Sequence, residues 1–198
     1  MSFVEILKVI VLGIVEGFTE WLPISSTGHM ILVDEIIHLD VSEAYREVFM
    51  VVIQLGAILA VMVLYFNKLN PFSPHKSMAQ KRGTIRLWIK IIIACIPAAV
   101  IGILADDWVE KHFYNYQMVS VMLILFGIAF ILIENSHKGK NVRIHTLADI
   151  GYDTALFIGL FQLIAAIFPG TSRSGATIVG ALLIGVSRTV AAEYTFFL

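Results

Sequence analysis

Two short segments of the chain concentrate the side chains that could do chemistry. The first begins with Glu16 and Glu20, which are four positions apart and therefore share one face of a helix. It continues past Pro23 with three hydroxyls and an imidazole, from Ser25, Ser26, Thr27 and His29. The two carboxylates could hold one hard divalent cation, or one of them could act as a general base. A hydroxyl and an imidazole this close could be a nucleophile and its base, although spacing alone leaves their geometry open.

The second segment follows a break in an apolar run at Phe168-Pro169-Gly170. Four hydrogen-bonding side chains come next, from Thr171, Ser172, Arg173 and Ser174. A Gly- and Ser-rich turn that opens a helix presents free backbone N–H groups and the positive end of the helix dipole, and hydroxyls beside an Arg suit a phosphate. Arg173 would supply the positive charge that a phosphoryl transition state needs. An ordinary helix N-cap with a snorkelling Arg is the structural alternative.

The composition places both segments in a membrane protein. The 198 residues are 58% hydrophobic and only 15% charged, and the mean hydropathy is +0.85. These values predict an all-α, polytopic integral membrane protein. The net charge of −1 says nothing about partners. The sequence shows no nucleic-acid patch, Cys/His metal cluster or dinucleotide fingerprint, so we expect no nucleic-acid partner.

The apolar pieces around the first segment are too short to cross a bilayer. Residues 3–18 are interrupted by Lys8 and Glu16, and residues 30–39 are shorter still, whereas a span needs about 20 apolar residues. Two half-length pieces around a polar break predict a re-entrant hairpin over residues 3–39. Three full spans are predicted after it, over residues 45–66, 87–105 and 118–134.

Loop charges predict the orientation of these spans. Residues 67–90 and 135–148 carry basic residues, including Lys138 and Lys140, and no acid, whereas residues 106–117 carry three acidic residues against one lysine. The positive-inside rule makes the two basic loops cytoplasmic. The first hairpin would then enter from the outer face, and a second hairpin over residues 149–187 from the inner face.

The two segments are related by an internal repeat. A shift of 146 residues places Glu16 on Gln162, Pro23 on Pro169 and Ser26 on Ser172. Three spans lie between the copies, so the repeats would have inverted topology; chance similarity is the alternative. The first repeat would occupy residues 1–134. The second, 149–198, would stop early in a span that starts at residue 188, so we expect a truncated chain with two to three further spans.

Both segments resemble motifs of a known family. The stretch from Glu16 to His29 resembles the first motif of the undecaprenyl-diphosphate phosphatases, also called bacitracin-resistance proteins. The stretch from Pro169 to Thr177 looks like the second, and downstream Arg188 and Glu193 also fit. The resemblance implies an integral enzyme of the bacterial plasma (inner) membrane. It would hydrolyse a lipid carrier diphosphate to the monophosphate and inorganic phosphate for peptidoglycan synthesis.

The resemblance also implies roles for individual residues. Glu16 and Glu20 would serve metal binding and catalysis with a magnesium or calcium ion, and Arg173 would grip the diphosphate. Ser26 and His29 would be the candidate nucleophile and base, with their roles left open. Further contacts that bind the substrate would come from Ser25, Thr27, Gly170, Ser172 and Ser174.

Some alternatives remain open at this point. Inverted repeats with broken helices are also a transporter architecture, so a transporter or flippase of the lipid phosphate is the competing hypothesis. An ion channel is a weaker hypothesis, because the charged residues cluster in two motifs instead of forming repeated rings along a span. The expected partners are the polyprenyl diphosphate and membrane lipids, with a homodimer as one candidate assembly and a site open to the outer face.

Overall fold

A computed structural model describes residues 2–137 and 142–198 of the chain, so Lys138 and Lys140 of the second basic loop lie outside it. The elements of these two ranges are helices, which confirms the all-α prediction. In chain order they are α1 (Phe3–Glu20), α2 (Ser26–Ile37), α3 (Glu43–Leu64), α4 (Phe66–Leu69), α5 (Met78–Phe113), α6 (Tyr116–His137), α7 (Tyr152–Ile167), α8 (Arg173–Leu183) and α9 (Arg188–Thr195).

Three of the described helices are long and apolar enough to cross a membrane. They are α3, the part of α5 from Met78 to Ala105, and α6. Their outward faces carry large apolar side chains such as Val63 and Ile103, which are 75% and 83% exposed. Apolar surface on this scale is stable only against lipid. The protein is therefore a multi-pass membrane protein.

The first helix break separates α1 from α2. The apolar pattern of α1 ends at Glu20, and Pro23 follows three residues later. Ser25 then caps α2, with its hydroxyl accepting a hydrogen bond from the Gly28 N–H at 3.2 Å. The two helices pack against each other around a small core formed by Leu12, Met30 and Leu39.

The second helix break, between α7 and α8, likewise contains a proline and a serine that caps the next helix. After Ile167 the chain passes Pro169 and turns at Gly170, whose φ of +87° lies in the left-handed region that favours glycine. Ser172 caps α8 and accepts from the Gly175 N–H at 3.0 Å. This pair belongs to the main core of the molecule, which α5, α7, α8 and α9 build together.

Helix α6 holds the two breaks close together. It packs against both α2 and α8, and its Val119 is fully buried. A Cβ atom added at Gly28 would lie 3.4 Å from the Val119 side chain, and one added at Gly170 would lie 2.6 Å from the Val119 carbonyl oxygen. The distance at Gly28 is an ordinary van der Waals contact, whereas the absence of a side chain at Gly170 is what lets the second break approach the same turn of α6. The grouping of the helices into inverted repeats stays a prediction.

Candidate functional site

Both helix breaks open into one cavity of about 830 Å³. Most of the residues that the sequence predicted for the site line its wall: Glu20, Ser25, Ser26, Thr27, Gly170, Ser172, Arg173 and Ser174. Glu16 and His29 are not among the lining residues. The fold thus brings the two segments together, although they are far apart in the chain.

Glu20 connects the two breaks. The Ser26 hydroxyl, from the first residue of α2, donates a hydrogen bond to Glu20 Oε2. The other carboxylate oxygen, Oε1, lies 3.7 Å from Arg173 Nη2, which the second break supplies. A hydroxyl that already donates to a carboxylate can pass its proton to it, so the pair has the arrangement of a nucleophile and its base. Arg173 adds a cation at the same point.

His29 and Ser25 are joined by a contact inside the first turn of α2. His29 Nδ1 lies 2.8 Å from the Ser25 carbonyl oxygen. A carbonyl oxygen only accepts hydrogen bonds, so Nδ1 carries the proton and Nε2 is the basic nitrogen of the neutral ring. The Ser26 hydroxyl is bonded to Glu20, so the structure offers a carboxylate as the immediate partner of the candidate nucleophile.

Glu16 lies one helical turn before Glu20 and is only 3% exposed. Within the described residues its Oε1 has no hydrogen-bond partner, and a buried carboxylate oxygen without one needs a ligand or a proton. The same part of the chain holds no cluster of three or more His, Cys, Asp or Glu that could bind a metal ion. Of the two carboxylates at this point, Glu16 and Glu20, only that of Glu20 lines the cavity.

The second break contributes hydroxyls at the N-terminus of α8. The Ser172 and Ser174 hydroxyl oxygens lie 3.0 Å apart, and Ser172 also caps the helix. The Arg173 side chain is half exposed, and its Nη1 donates to the Leu198 carbonyl at 3.4 Å. The second segment is thus a helix N-cap that also presents hydroxyls and a guanidinium to the cavity, so the two interpretations of its sequence are compatible.

The structure adds cavity residues that the sequence did not assign. Thr171 lines the wall, is 5% exposed and has a hydroxyl without a partner among the described residues. Gln54 of α3 and Asn70 also line it. Gln54 had a detectable signal, because a lone amide within an apolar span indicates a face turned toward a cavity. Apolar side chains also line the cavity, among them Ile58, Val61, Met62, Phe66, Trp88 and Ile91.

Comparison with known proteins shows the family of the chain. Residues 9–198 match the model of the bacitracin resistance protein BacA family. The chain belongs to that family. It is 68% identical to undecaprenyl-diphosphatase 1 of Clostridium acetobutylicum, over the whole chain and 72% of the relative. It is likewise 68% identical to the undecaprenyl-diphosphatase of Desulfitobacterium hafniense, over the whole chain and 71% of that protein.

A third relative, the undecaprenyl-diphosphatase of Enterococcus faecalis, is 60% identical over the whole chain and 72% of its own length. The matched region contains both helix breaks and the cavity between them. The family resemblance that the two motifs carried is therefore confirmed.

Proposed function

We propose that the protein hydrolyses undecaprenyl diphosphate to undecaprenyl phosphate and inorganic phosphate. The observation that carries this proposal is the position of Glu20, whose carboxylate contacts both Ser26 and Arg173. A hydroxyl, a base and a cation at one point are the parts that phosphoryl transfer needs. The apolar side chains that line the cavity suit a polyprenyl tail, and the activity for which the relatives are named supports the same function.

In the first step, Ser26 Oγ attacks the terminal phosphorus and its proton moves to Glu20. An Oγ–P bond forms, the bond from that phosphorus to the bridging oxygen breaks, and the lipid monophosphate leaves. Arg173 offsets the negative charge that develops on the phosphoryl oxygens. In the second step, a water oxygen adds to the phosphorus, the Oγ–P bond breaks and Ser26 regains a proton from Glu20, while both protons of the water leave on the inorganic phosphate.

A divalent cation, magnesium or calcium, is part of the proposal. Its ligands from the chain would be the carboxylates of Glu16 and Glu20, and phosphate oxygens of the substrate would complete its coordination. When bound, the ion would neutralise charge on the diphosphate. Glu16 Oε1 supports this assignment, because it has no hydrogen-bond partner within the part of the chain that the structure describes. A chelator should therefore remove activity and added magnesium or calcium should restore it.

The test is phosphate release from undecaprenyl diphosphate by purified protein in detergent micelles. Glu20→Gln and Ser26→Ala should each lower kcat by about 10²-fold or more, because the first removes the base and the second the nucleophile. Ser136→Ala is the matched control, since Ser136 is exposed on α6 and bonds only its own helix in the part of the chain described. Retained turnover in either site variant would contradict the mechanism.

The same assay separates the enzyme from a transporter. Micelles hold no gradient, so a protein that only moved lipid phosphate would release none. We further propose that the site opens to the outer face of the bacterial inner membrane, as the basic loops indicate. Hydrolysis of substrate added to sealed right-side-out vesicles supports that orientation, and hydrolysis only in inverted vesicles contradicts it. A homodimer stays a prediction, and sedimentation of the protein in detergent would test it.

A further inference from the structure

One residue of α3 differs from its neighbours on the cavity wall, because it carries an amide on an otherwise apolar helix face. The residues of α3 that line the cavity recur at helical spacing: Gln54, Ala57, Ile58, Val61 and Met62. We propose that the amide N–H groups of Gln54 bind the phosphate attached to the polyprenyl tail, which is the leaving group when Ser26 attacks. The inference rests on the proposed function and deepens it, because it names a residue that recognises the lipid-linked end of the diphosphate.

The Gln54 amide is available to a ligand. Its side chain makes no hydrogen bond with the part of the chain that the structure describes. Gln54 lies within α3, which is long and apolar enough to cross a membrane, and an amide without a hydrogen bond is costly in such surroundings. The side chain supplies two N–H donors. Since it lines the cavity, a ligand in the cavity is the available partner.

Two contacts at the beginnings of α1 and α3 show how these helices lie relative to each other. Lys8 Nζ, on α1, donates to the His38 carbonyl at 2.7 Å. Arg46 Nη2, on α3, donates to the next carbonyl along the chain, that of Leu39, at 2.9 Å. Both helices continue from this loop to the same cavity and pack against each other on the way. The two helices therefore run in the same direction, with Lys8 and Arg46 at similar heights.

Gln54 consequently lies at the height of the two carboxylates of α1. It follows Arg46 by eight residues, just as Glu16 follows Lys8 by eight residues, which is about 12 Å along each helix axis. Glu20, whose side chain lines the cavity, is one turn further along α1. Gln54 is thus available to the second phosphate of a diphosphate that is attacked beside Glu20.

The order of residues along α3 assigns the amide to the phosphate attached to the tail. The apolar residues that follow Gln54 on this face, with Phe66 and Trp88 beyond them, suit a hydrocarbon chain. A tail that lies along them ends at Gln54, so the first polar group that the amide meets is the phosphate bonded to the tail. Negative charge develops on that phosphate when Ser26 attacks and the bond to the bridging oxygen breaks. N–H donors at this point stabilise the leaving group.

The test compares the two products, because only one of them carries the tail. Farnesyl phosphate represents the lipid monophosphate, and inorganic phosphate is the other product. Trp21 and Trp88 line the cavity, so their fluorescence can report binding of either product without turnover. Gln54→Met keeps the length of the side chain but removes the amide. It should weaken farnesyl phosphate binding about ten-fold, as loss of a hydrogen bond to a charged group predicts, and change inorganic phosphate binding by less than about two-fold.

A second variant separates hydrogen bonding from shape. Gln54→Glu keeps the shape of the side chain but replaces the N–H donors with a carboxylate oxygen. It should weaken farnesyl phosphate binding at least as much as Gln54→Met, whereas a residue that only packed against the tail would tolerate this change. Gln117→Met is the matched control, because Gln117 is exposed on α6 and does not line the cavity. If Gln54→Met does not fold, Gln54→Leu is used in its place.

The outcomes distinguish the inference from the proposed function. Unchanged farnesyl phosphate affinity in either Gln54 variant, or an equal loss of affinity for both products in Gln54→Met, would overturn the role of Gln54. Normal turnover of undecaprenyl diphosphate by the unchanged protein, together with either result, would overturn that role alone. Protein that binds farnesyl phosphate through Gln54 but releases no phosphate from the lipid diphosphate would overturn the proposed function alone.

Discussion

The guanidinium of Arg173 lies 3.7 Å from the carboxylate of Glu20, and this approach joins the second helix break to the first. The Arg173 side chain is 51% exposed and that of Glu20 is 27% exposed. Solvent therefore screens the ion pair, which adds little to stability. Its importance is electrostatic, because it places a fixed cation beside the carboxylate that accepts from Ser26. The main consequence of changing Arg173 should therefore be catalytic.

Replacement of Arg173 separates catalysis from folding. Arg173→Ala should lower kcat/KM for phosphate release by roughly 10³-fold, since an Arg at a phosphoryl transition state contributes on that scale. Arg173→Lys should recover only part of the loss, because an ammonium lacks the planar fork of donors. The thermal unfolding midpoint should stay near that of the unchanged protein. Arg86→Ala is the control, because Arg86 is exposed on α5, and equal activities of the two alanine variants would contradict the assigned role.

Ser25 combines a helix cap with an unusual backbone conformation. Its φ is 68° and its hydroxyl caps α2 by accepting from Gly28. Ser25→Ala keeps the left-handed backbone and loses the cap, which should cost about 1 kcal/mol. Ser25→Gly also loses the hydroxyl but relieves the backbone, so it should cost only a few tenths of that. Thermal unfolding in detergent would show the order, and a glycine variant less stable than the alanine variant would refute the interpretation.

Gly170 has a left-handed backbone conformation and also packs closely against α6. Its φ is +87°, and a Cβ there would lie 2.6 Å from the Val119 carbonyl oxygen of α6. Gly170→Ala should therefore shift the second break away from α6 and lower both the unfolding midpoint and the turnover rate. Gly127→Ala, on the same helix as Val119, is the control because nothing lies within 4 Å of its added Cβ. Similar behaviour of the two variants would show that the contact is dispensable.

Tyr194 tests the core that supports the site without touching the cavity. The side chain is 1% exposed, and its hydroxyl donates to the Lys90 carbonyl at 2.8 Å. Tyr194→Phe should lower the free energy of unfolding by about 1 kcal/mol, the usual net value of one hydrogen bond. KM should not change. Tyr152→Phe is the control, since Tyr152 is 50% exposed. A change of KM for Tyr194→Phe alone would mean that this bond also shapes the cavity.

Much of the candidate site was predictable because its signals are local. Pro23 and Pro169 interrupt apolar runs, and hydroxyls follow each of them. Proline removes a backbone donor, and hydroxyls cap helices, so broken helices at these points follow from covalent chemistry. Arg173, beside the second break, indicated an intramembrane site, because a charged side chain within the membrane is costly unless it has a function. The family assignment followed from the same two stretches.

Partners across the site were not predictable in this way. Sequence spacing left Ser26 and His29 open as nucleophile and base, and the structure shows Ser26 bonded to Glu20. Glu16 and Glu20 share a helix face, but only Glu20 lines the cavity. Thr171 lies in a motif that the sequence analysis recognised, but no role was assigned to this residue. Each outcome depends on which atoms meet across the breaks, and spacing along the chain does not determine that.

The sequence by itself determined that the protein is an all-α membrane protein with two polar helix breaks and the chemistry of a phosphoryl-transfer family. These properties depend on hydropathy, proline and short motifs, whose effects reach only a few residues along the chain. Only the tertiary structure decided that Glu20 accepts from Ser26 and lies beside Arg173, and that the Thr171 hydroxyl has no hydrogen-bond partner among the described residues. The reason is packing: both breaks lie beside Val119 of α6, and the second approaches it closely because Gly170 has no side chain.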